Sequence, residues 1–410
     1  MRRIESHPTG EKVVMMRVAI IHDWLFGMRG GEYCLKVICE LFPDADIYTL
    51  FYREAGIEKA ISKHKIFESN FSSLPGVEKY YRYLLPCYSL AVRDLNEKLE
   101  AQHQISKYDL VISISHCVAK NVSVPKDAFH LCYCLTPARY LWDQYDSYFQ
   151  NHPLEPLIRR VFRPLRKWDA SSASGVDKFV GISDYISKRI NRYYQRPAEV
   201  IYPPVNTDWI SSSPVMERGD RFLSVSALVP YKSVDLIIES FNELPWGLDI
   251  VGRGPEEARL RKLVKGTNIR FLGTVSQSQL AKLYKSSKAL IFSAEEDFGM
   301  APVEMQAAGG PVIAFGRGGV LETVQPFGDR ATGVFFYDKT TKALSNAVKE
   351  FISRQADFTV DNCLQQAQNF SLEIFRQRFL QACLDPGLGE KNSPRGIESF
   401  AENKIAIARG

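Results

Sequence analysis

Glu296 and Glu304 bracket an apolar turn inside EEDFGMAPVEMQAAGGPVIAF. Upstream, ALIFS (289–293) reads as a short buried strand, and 294–299 as the loop that follows it. A helix then opens with Pro302 near its first position, where a missing N–H costs nothing. Gly309 and Gly310 stop that helix, and PVIAF (311–315) is the next strand. On this reading Glu296 lies on the loop at a strand's carboxyl end and Glu304 lies in the first turn of the following helix. Phe298, Gly299 and Met300 bring main-chain N–H groups to a helix N-terminus, which favours an anion. Ligands of open α/β sheets bind at this edge. One acidic residue near a helix start needs no function, because it complements the helix dipole. Two of them flanking Phe-Gly, with Pro and a Gly-Gly stop behind, point to a ligand.

Other candidate residues fall on loops of the same kind. Gly30 and Gly31, in HDWLFGMRGGE, sit on the first strand–helix loop, where absent side chains let a phosphate approach the main chain. Lys232, in SALVPYKSVDLIIESF, follows a strand and is placed to meet a pyrophosphate as a point charge. Arg253, in VGRGPEE, lies on a neighbouring strand-end loop. His116 follows the strand DLVISIS. A lone histidine is commonly a hydrogen-bonding structural residue, but a strand-end position favours a role in a site.

The glutamate segment resembles the signature of the retaining glycosyltransferases of family 4, and HDWLFGMRGGE resembles the opening loop of members that build bacterial polysaccharides. The resemblance runs from Arg17 to about Leu384. It implies the GT-B fold: two Rossmann-like doubly wound α/β domains facing a central cleft, with a C-terminal helix crossing back to the first. It also implies a hexosyltransferase that moves a hexose, mannose first among candidates, from a nucleoside diphosphate sugar to a lipid-linked or growing glycan. Glu304 would hold the ribose, since a carboxylate accepts two hydroxyl hydrogens of a vicinal diol. Glu296 and His116 would stand by the transferred sugar as the catalytic pair. Lys232, Arg253, Gly30, Gly31, Phe298, Gly299 and Met300 would bind the donor. Two positions depart from the pattern: Ala227 stands where many members carry Arg, and Leu135 stands where His often precedes Thr-Pro. Arg253 is the candidate substitute for the missing Arg. The alternatives are a glycogen- or sucrose-type synthase with a soluble acceptor, a GT-B epimerase, and a non-catalytic nucleotide-sugar-binding protein.

The elements that must position these residues follow a strand–helix alternation, which implies mostly parallel sheets. The 410 residues suit two domains. Residues 1–15 read as a disordered leader, 16–203 as the N-terminal acceptor-side domain and 204–220 as a linker. Residues 221–370 read as the donor-binding domain, 371–384 as the crossover helix and 385–410 as a mobile tail. The boundary follows from Pro203-Pro204 and the polar stretch behind it.

Composition is that of an ordinary globular protein, with 45% hydrophobic and 24% charged residues and a mild net charge of +5, which does not by itself suggest a nucleic-acid binder, and no nucleic-acid partner is expected. Neither a membrane-spanning run nor a signal peptide is visible, so a cytoplasmic protein is expected, peripheral on the cytoplasmic face of the inner membrane. That seat rests on KYYRYLLPCYSLAVR (79–93) and IRRVFRPLRKW (158–168), whose mixtures of bases and apolar residues favour an anionic surface. The eight cysteines form no CxxC pair and read as reduced, buried thiols. Asp44-Ala45-Asp46 spells the metal-binding triplet of another glycosyltransferase fold, yet its setting after Pro43 reads as a turn and strand start. No metal or cofactor is expected. No G-x-G-x-x-G opens either half, which disfavours a nicotinamide dehydrogenase.

Overall fold

The computed structural model describes residues 4–6, 12–14, 16–145, 149, 153–212 and 216–385. The chain forms two units. The first comprises residues up to Tyr202 together with those from Phe375 onward, and the second is Pro203–Ile374.

The first unit is built on a seven-stranded parallel sheet in the order β5-β4-β3-β6-β7-β8-β9. Its strands are β3 (Val18–Leu25), β4 (Asp46–Tyr52), β5 (Ile66–Glu68), β6 (Leu110–Ser115), β7 (Phe129–Cys134), β8 (Lys178–Gly181) and β9 (Glu199–Val200). Every residue of β3, β6 and β7 is buried. Such continuous burial is expected where helices cover both faces of a parallel sheet. The helix Gly30–Leu41 buries Cys34, Leu35, Val37, Ile38, Cys39 and Leu41. The core on the face of the helix Tyr88–Ile105 gathers Ile21, Tyr48, Phe51, Leu95, Leu99 and Val111.

The second unit has six parallel strands in the order β12-β11-β10-β13-β14-β15. They are β10 (Phe222–Val225), β11 (Leu248–Val251), β12 (Ile269–Gly273), β13 (Leu290–Phe292), β14 (Val312–Phe315) and β15 (Gly333–Phe336). Phe222, Ile237, Phe241, Ile250, Ile291, Ile313, Val334 and Phe351 lie in its core. Each sheet reverses its strand order once, between β3 and β6 in the first unit and between β10 and β13 in the second. Such a reversal opens a crevice at the carboxyl ends of the two adjacent strands.

The expected leader, linker, crossover helix and tail can be set beside the chain's elements. Within the expected leader, β1 (Ile4–Ser6) pairs antiparallel with β2 (Lys12–Val14). The expected linker, 204–220, falls within the second unit. Arg218 donates to the carbonyls of Tyr284 (3.0 Å), Ser287 (2.7 Å) and Ala308 (2.6 Å), which fastens the segment to the second unit. The short helix Asp208–Ser211 precedes it. The last helix, Leu372–Leu384, belongs to the first unit from Phe375 onward. There Phe375 and Phe379 pack on Tyr133 at 5.7 and 5.5 Å, and Arg376 pairs with Glu40 at 2.7 Å. The expected tail, apart from Asp385, lies outside the described residues. The cysteines form no disulfide, and all but the half-buried Cys87 are buried.

Candidate functional site

In the second unit the crevice between β10 and β13 receives side chains from both strand-end loops. β10 runs into the turn Pro230–Lys232, and Ser233 then adopts φ 52°, a left-handed conformation rare outside glycine. The Ser293 hydroxyl, just past β13, donates to the carbonyl of Lys232 (2.7 Å), with that of Ser233 at 3.0 Å. This ties the two loops together and sets Lys232 against Glu296. The Lys232 ammonium and the Glu296 carboxylate form an ion pair, with 13% and 25% of the side chains exposed. Glu296 is seated from behind by the loop after β14. The Gly319 N–H donates to the Glu296 carbonyl at 2.8 Å. Gly318 has φ 78°, and a Cβ on it would lie 2.3 Å from that same carbonyl. Only glycine fits such an approach.

Glu304 is not in the first helical turn. The helix spans Met300–Ala307 with Gly299 (φ 89°) as its cap, so Pro302 is the third residue and Glu304 the fifth. Gly299 begins the helix two residues earlier than a proline at the first position would. Glu304 receives the hydroxyl of the buried Tyr284 at 2.7 Å. Burial pushes the Glu304 carboxyl above its ordinary pKa, and the Tyr284 hydroxyl pulls it part of the way back. Met300 is half-buried at the helix start. The Phe298 ring is core instead: it is 4% exposed and packs edge-on against Phe370 at 5.5 Å, which leaves only its main chain for a ligand. Arg253 is exposed on the loop after β11. Its carbonyl accepts from the Leu228 N–H at 2.9 Å, beside the exposed Ala227. The structure thus brings Lys232 and Glu296 into contact, and places Arg253 on the loop adjoining Ala227.

In the first unit the β3–β6 crevice is furnished with acids and imidazoles. His116 follows β6, and 23% of its side chain is exposed. The fully buried Asp23, on β3, takes the amides of His116 (2.7 Å), Cys117 (2.9 Å), Val118 (2.6 Å) and Ala119 (2.8 Å) on its carboxylate. Burial lowers the His116 pKa, with the Asp23 charge opposing it. His22 is also fully buried and lies 3.8 Å from a Glu32 carboxylate oxygen. The other Glu32 oxygen accepts the Arg29 N–H at 3.1 Å and so caps the helix that starts at Gly30. Burial works to raise the Glu32 pKa, but the neighbouring His22, with His116 beyond it, outweighs burial and lowers it. Gly30 is exposed and open, with nothing within 4 Å of a Cβ placed on it. At Gly31 a Cβ would meet the Leu135 side chain at 3.0 Å. Leu135, one of the two departures noted in the sequence, therefore packs on the glycine loop.

Asp23, His22, Glu32 and Tyr284 were not among the sequence candidates. Asp23 and Tyr284 act on partners 93–96 and 20 residues away, so no local motif marks them. Asp46 of the D-x-D triplet is held by Arg17 (2.5 Å) and the Tyr108 hydroxyl (2.5 Å). Among the described residues no group of three or more His, Cys, Asp or Glu is arranged to hold a metal ion.

Residues 206–370 match the family Glycosyl transferases group 1. An uncharacterized glycosyltransferase of Methanocaldococcus jannaschii is 31% identical over 42% of this chain and 50% of its own length. The O-antigen chain mannosyltransferase RfbU of Salmonella typhimurium is 26% identical over 47% of this chain and 57% of its own. The matched region thus spans about half the length of these curated relatives. Among solved structures, HepE of Anabaena in complex with UDP superposes with a TM-score of 0.67 at 16% identity, covering 90% of this chain and 99% of that one. Sucrose-phosphate synthase of Thermosynechococcus elongatus gives a TM-score of 0.65 at 17% identity, covering 90% and 98%. The second unit carries a Glycosyl transferases group 1 domain, and the chain has the GT-B fold of two parallel Rossmann-like sheets.

Proposed function

We propose that this chain is a retaining hexosyltransferase of the family-4 type. It takes a hexose from a nucleoside diphosphate sugar and passes it to a lipid-linked or growing glycan. The observation that carries this reading is the Lys232–Glu296 pair at the strand-order reversal of the second unit, with Glu304 the fifth residue of the helix that follows. Glu304 holds the ribose diol, and Glu296 faces the transferred sugar. Lys232 and the amides at the start of the Met300–Ala307 helix receive charge that grows on the leaving diphosphate. Arg253 adds a second cation where Ala227 offers none. Gly30, Gly31 and His116 of the first unit serve the phosphates and the reacting sugar. A lysine as counter-charge makes the reaction independent of a metal, and turnover unchanged in EDTA is the check.

Lys232 is already paired with Glu296, so donor binding must exchange that partner for phosphate. The departing phosphate oxygen then accepts the acceptor's proton on the same face, which retains the anomeric configuration. An inverted product anomer by proton NMR overturns this route.

Mannose leads the candidates because the relatives include a mannosyltransferase. The UDP complex of a structural neighbour keeps uridine donors in the screen. Thermal shift with guanosine, uridine and adenosine diphosphate sugars tests the reading, since a bound donor raises the melting point by mass action. No shift with any of them refutes it.

The acceptor side is assigned to an anionic membrane surface. On the helix Glu155–Ser172, Leu157 is 58% exposed, and the exposed Leu154 and Val161 flank it at helical spacing. Arg160, Arg163 and Lys167 are exposed on the same helix, and Tyr83 on a neighbouring turn is 84% exposed. This mixture of bases and exposed apolar side chains suits a surface resting on a bilayer; among the described residues no helix is long and apolar enough to cross one. A soluble acceptor is the second reading, favoured by the likeness to sucrose-phosphate synthase. Sedimentation with phosphatidylglycerol vesicles, set against phosphatidylcholine vesicles, separates the two.

A further inference from the structure

Among the described residues no lysine or arginine pairs with Asp23. Its two oxygens accept four main-chain amides, two each, and Oδ2 also stands 3.2 Å from His116 Nδ1. An ionised carboxylate is an acceptor only and has no hydrogen to give. An oxygen that already accepts two amide hydrogens has only acceptor capacity to offer an imidazole. The nitrogen facing it must therefore carry the proton.

The His116 ring has little freedom to choose otherwise. Trp24 meets it edge-on at 4.4 Å, and the His22 ring lies 5.6 Å away. The amide of His116 is bonded to Asp23 Oδ2 (2.7 Å), and its ring Nδ1 faces that same oxygen at 3.2 Å, so main chain and side chain meet one group.

We infer that Asp23 is the positioning residue of the first unit's site: it fixes His116 as the Nδ1–H tautomer and leaves Nε2 as an acceptor for a hydroxyl of the transferred sugar. The last clause rests on the function proposed above; the tautomer does not. Asparagine cannot replace Asp23, because its amide NH₂ would face the N–H groups of the loop at 116–119.

Two measurements test this. Long-range ¹H–¹⁵N correlation spectra of the full chain near neutral pH should show His116 protonated at Nδ1 and bare at Nε2. An Nε2–H tautomer, or a rapidly averaging one, overturns the assignment, and no substrate is required. In Asp23→Asn the single tautomer should be lost while the far-ultraviolet circular dichroism is kept; an unchanged Nδ1–H tautomer overturns the role of Asp23. If that variant fails to fold, the wild-type spectrum and the His116 variants decide. His116→Gln sets an acceptor oxygen near the Nε2 position, and His116→Asn sets one near Nδ1. Turnover of His116→Gln should exceed that of His116→Asn by about tenfold, the worth of one hydrogen bond, with KM for the donor altered less than kcat. Equal kcat losses overturn the Nε2 role. A correct tautomer with no turnover of any donor refutes the proposed function and leaves Asp23 in its place.

Discussion

Between β3 and β6 the central acid, Asp23, is bonded to four main-chain amides; between β10 and β13 the central acid, Glu296, is held by a lysine side chain. Both stand where a parallel sheet reverses its strand order, yet they differ in what can be exchanged. Amides bonded to a buried carboxylate are part of the fold and do not leave. A lysine paired with a partly exposed carboxylate is released by any better anion. On this difference the first crevice is expected to keep its contacts when a ligand arrives, whereas the second can trade its lysine contact for a charged ligand. Histidine follows the same division: all seven stand at or before position 152, in the first unit, and none in the second.

The largest effect that sharpens this comparison is expected at Glu304. Glu304→Ala should abolish the donor-induced thermal shift, and an unchanged shift would refute the ribose assignment. Lys232→Met comes next. Loss of a charge-assisted phosphate contact should weaken donor binding by roughly 10- to 100-fold, from about 1.5–3 kcal/mol, read by isothermal titration calorimetry. Wild-type affinity would show that the second crevice is as fixed as the first.

Acid should find the first unit. Burial drops the His130 pKa to about 4. The unfolded imidazole binds a proton near pH 6.5, so between about pH 6.5 and 4 the unfolded chain holds more protons and stability falls as pH falls. The full swing is roughly 3 kcal/mol from the shift of about 2.5 units. His130→Gln should flatten the dependence in that window, followed by tryptophan fluorescence in urea. A slope unchanged by the substitution would contradict it.

The smallest effects separate two glycines. Gly318→Ala forces a Cβ onto the Glu296 carbonyl at positive φ, and should cost about 1–3 kcal/mol in denaturant unfolding. Gly30→Ala meets open space and should stay within about 0.5 kcal/mol. If the two costs came out equal, the glycines would not differ as the contacts around them indicate.

Most of the sheet strands were legible because parallel strands buried on both faces appear as unbroken apolar runs, as in β3, β6 and β7. β5 and β15 were not. They are short edge strands, and β5 has no fully buried residue, so its sequence carries no run to read. That Lys232 and Glu296 lie on strand-end loops was legible because strand–loop–helix punctuation places them locally. The helix start was misplaced by two residues because Gly299, in a left-handed conformation, ends the loop before Pro302. Asp23 stayed hidden for another reason: its partners are decided by which strands become neighbours, and β3 and β6 are neighbours across most of a hundred residues.

The chain passes between its units twice, at Tyr202–Pro203 and again inside the last helix at Ile374–Phe375. The second unit is therefore an insert rather than a bead on a string. One protease nick at the first junction would not release it, since Phe375, Phe379 and Arg376 anchor the far end of the insert to the first unit. Grafting this insert into a related scaffold requires two matched seams, and the second of them must be cut through a continuous helix.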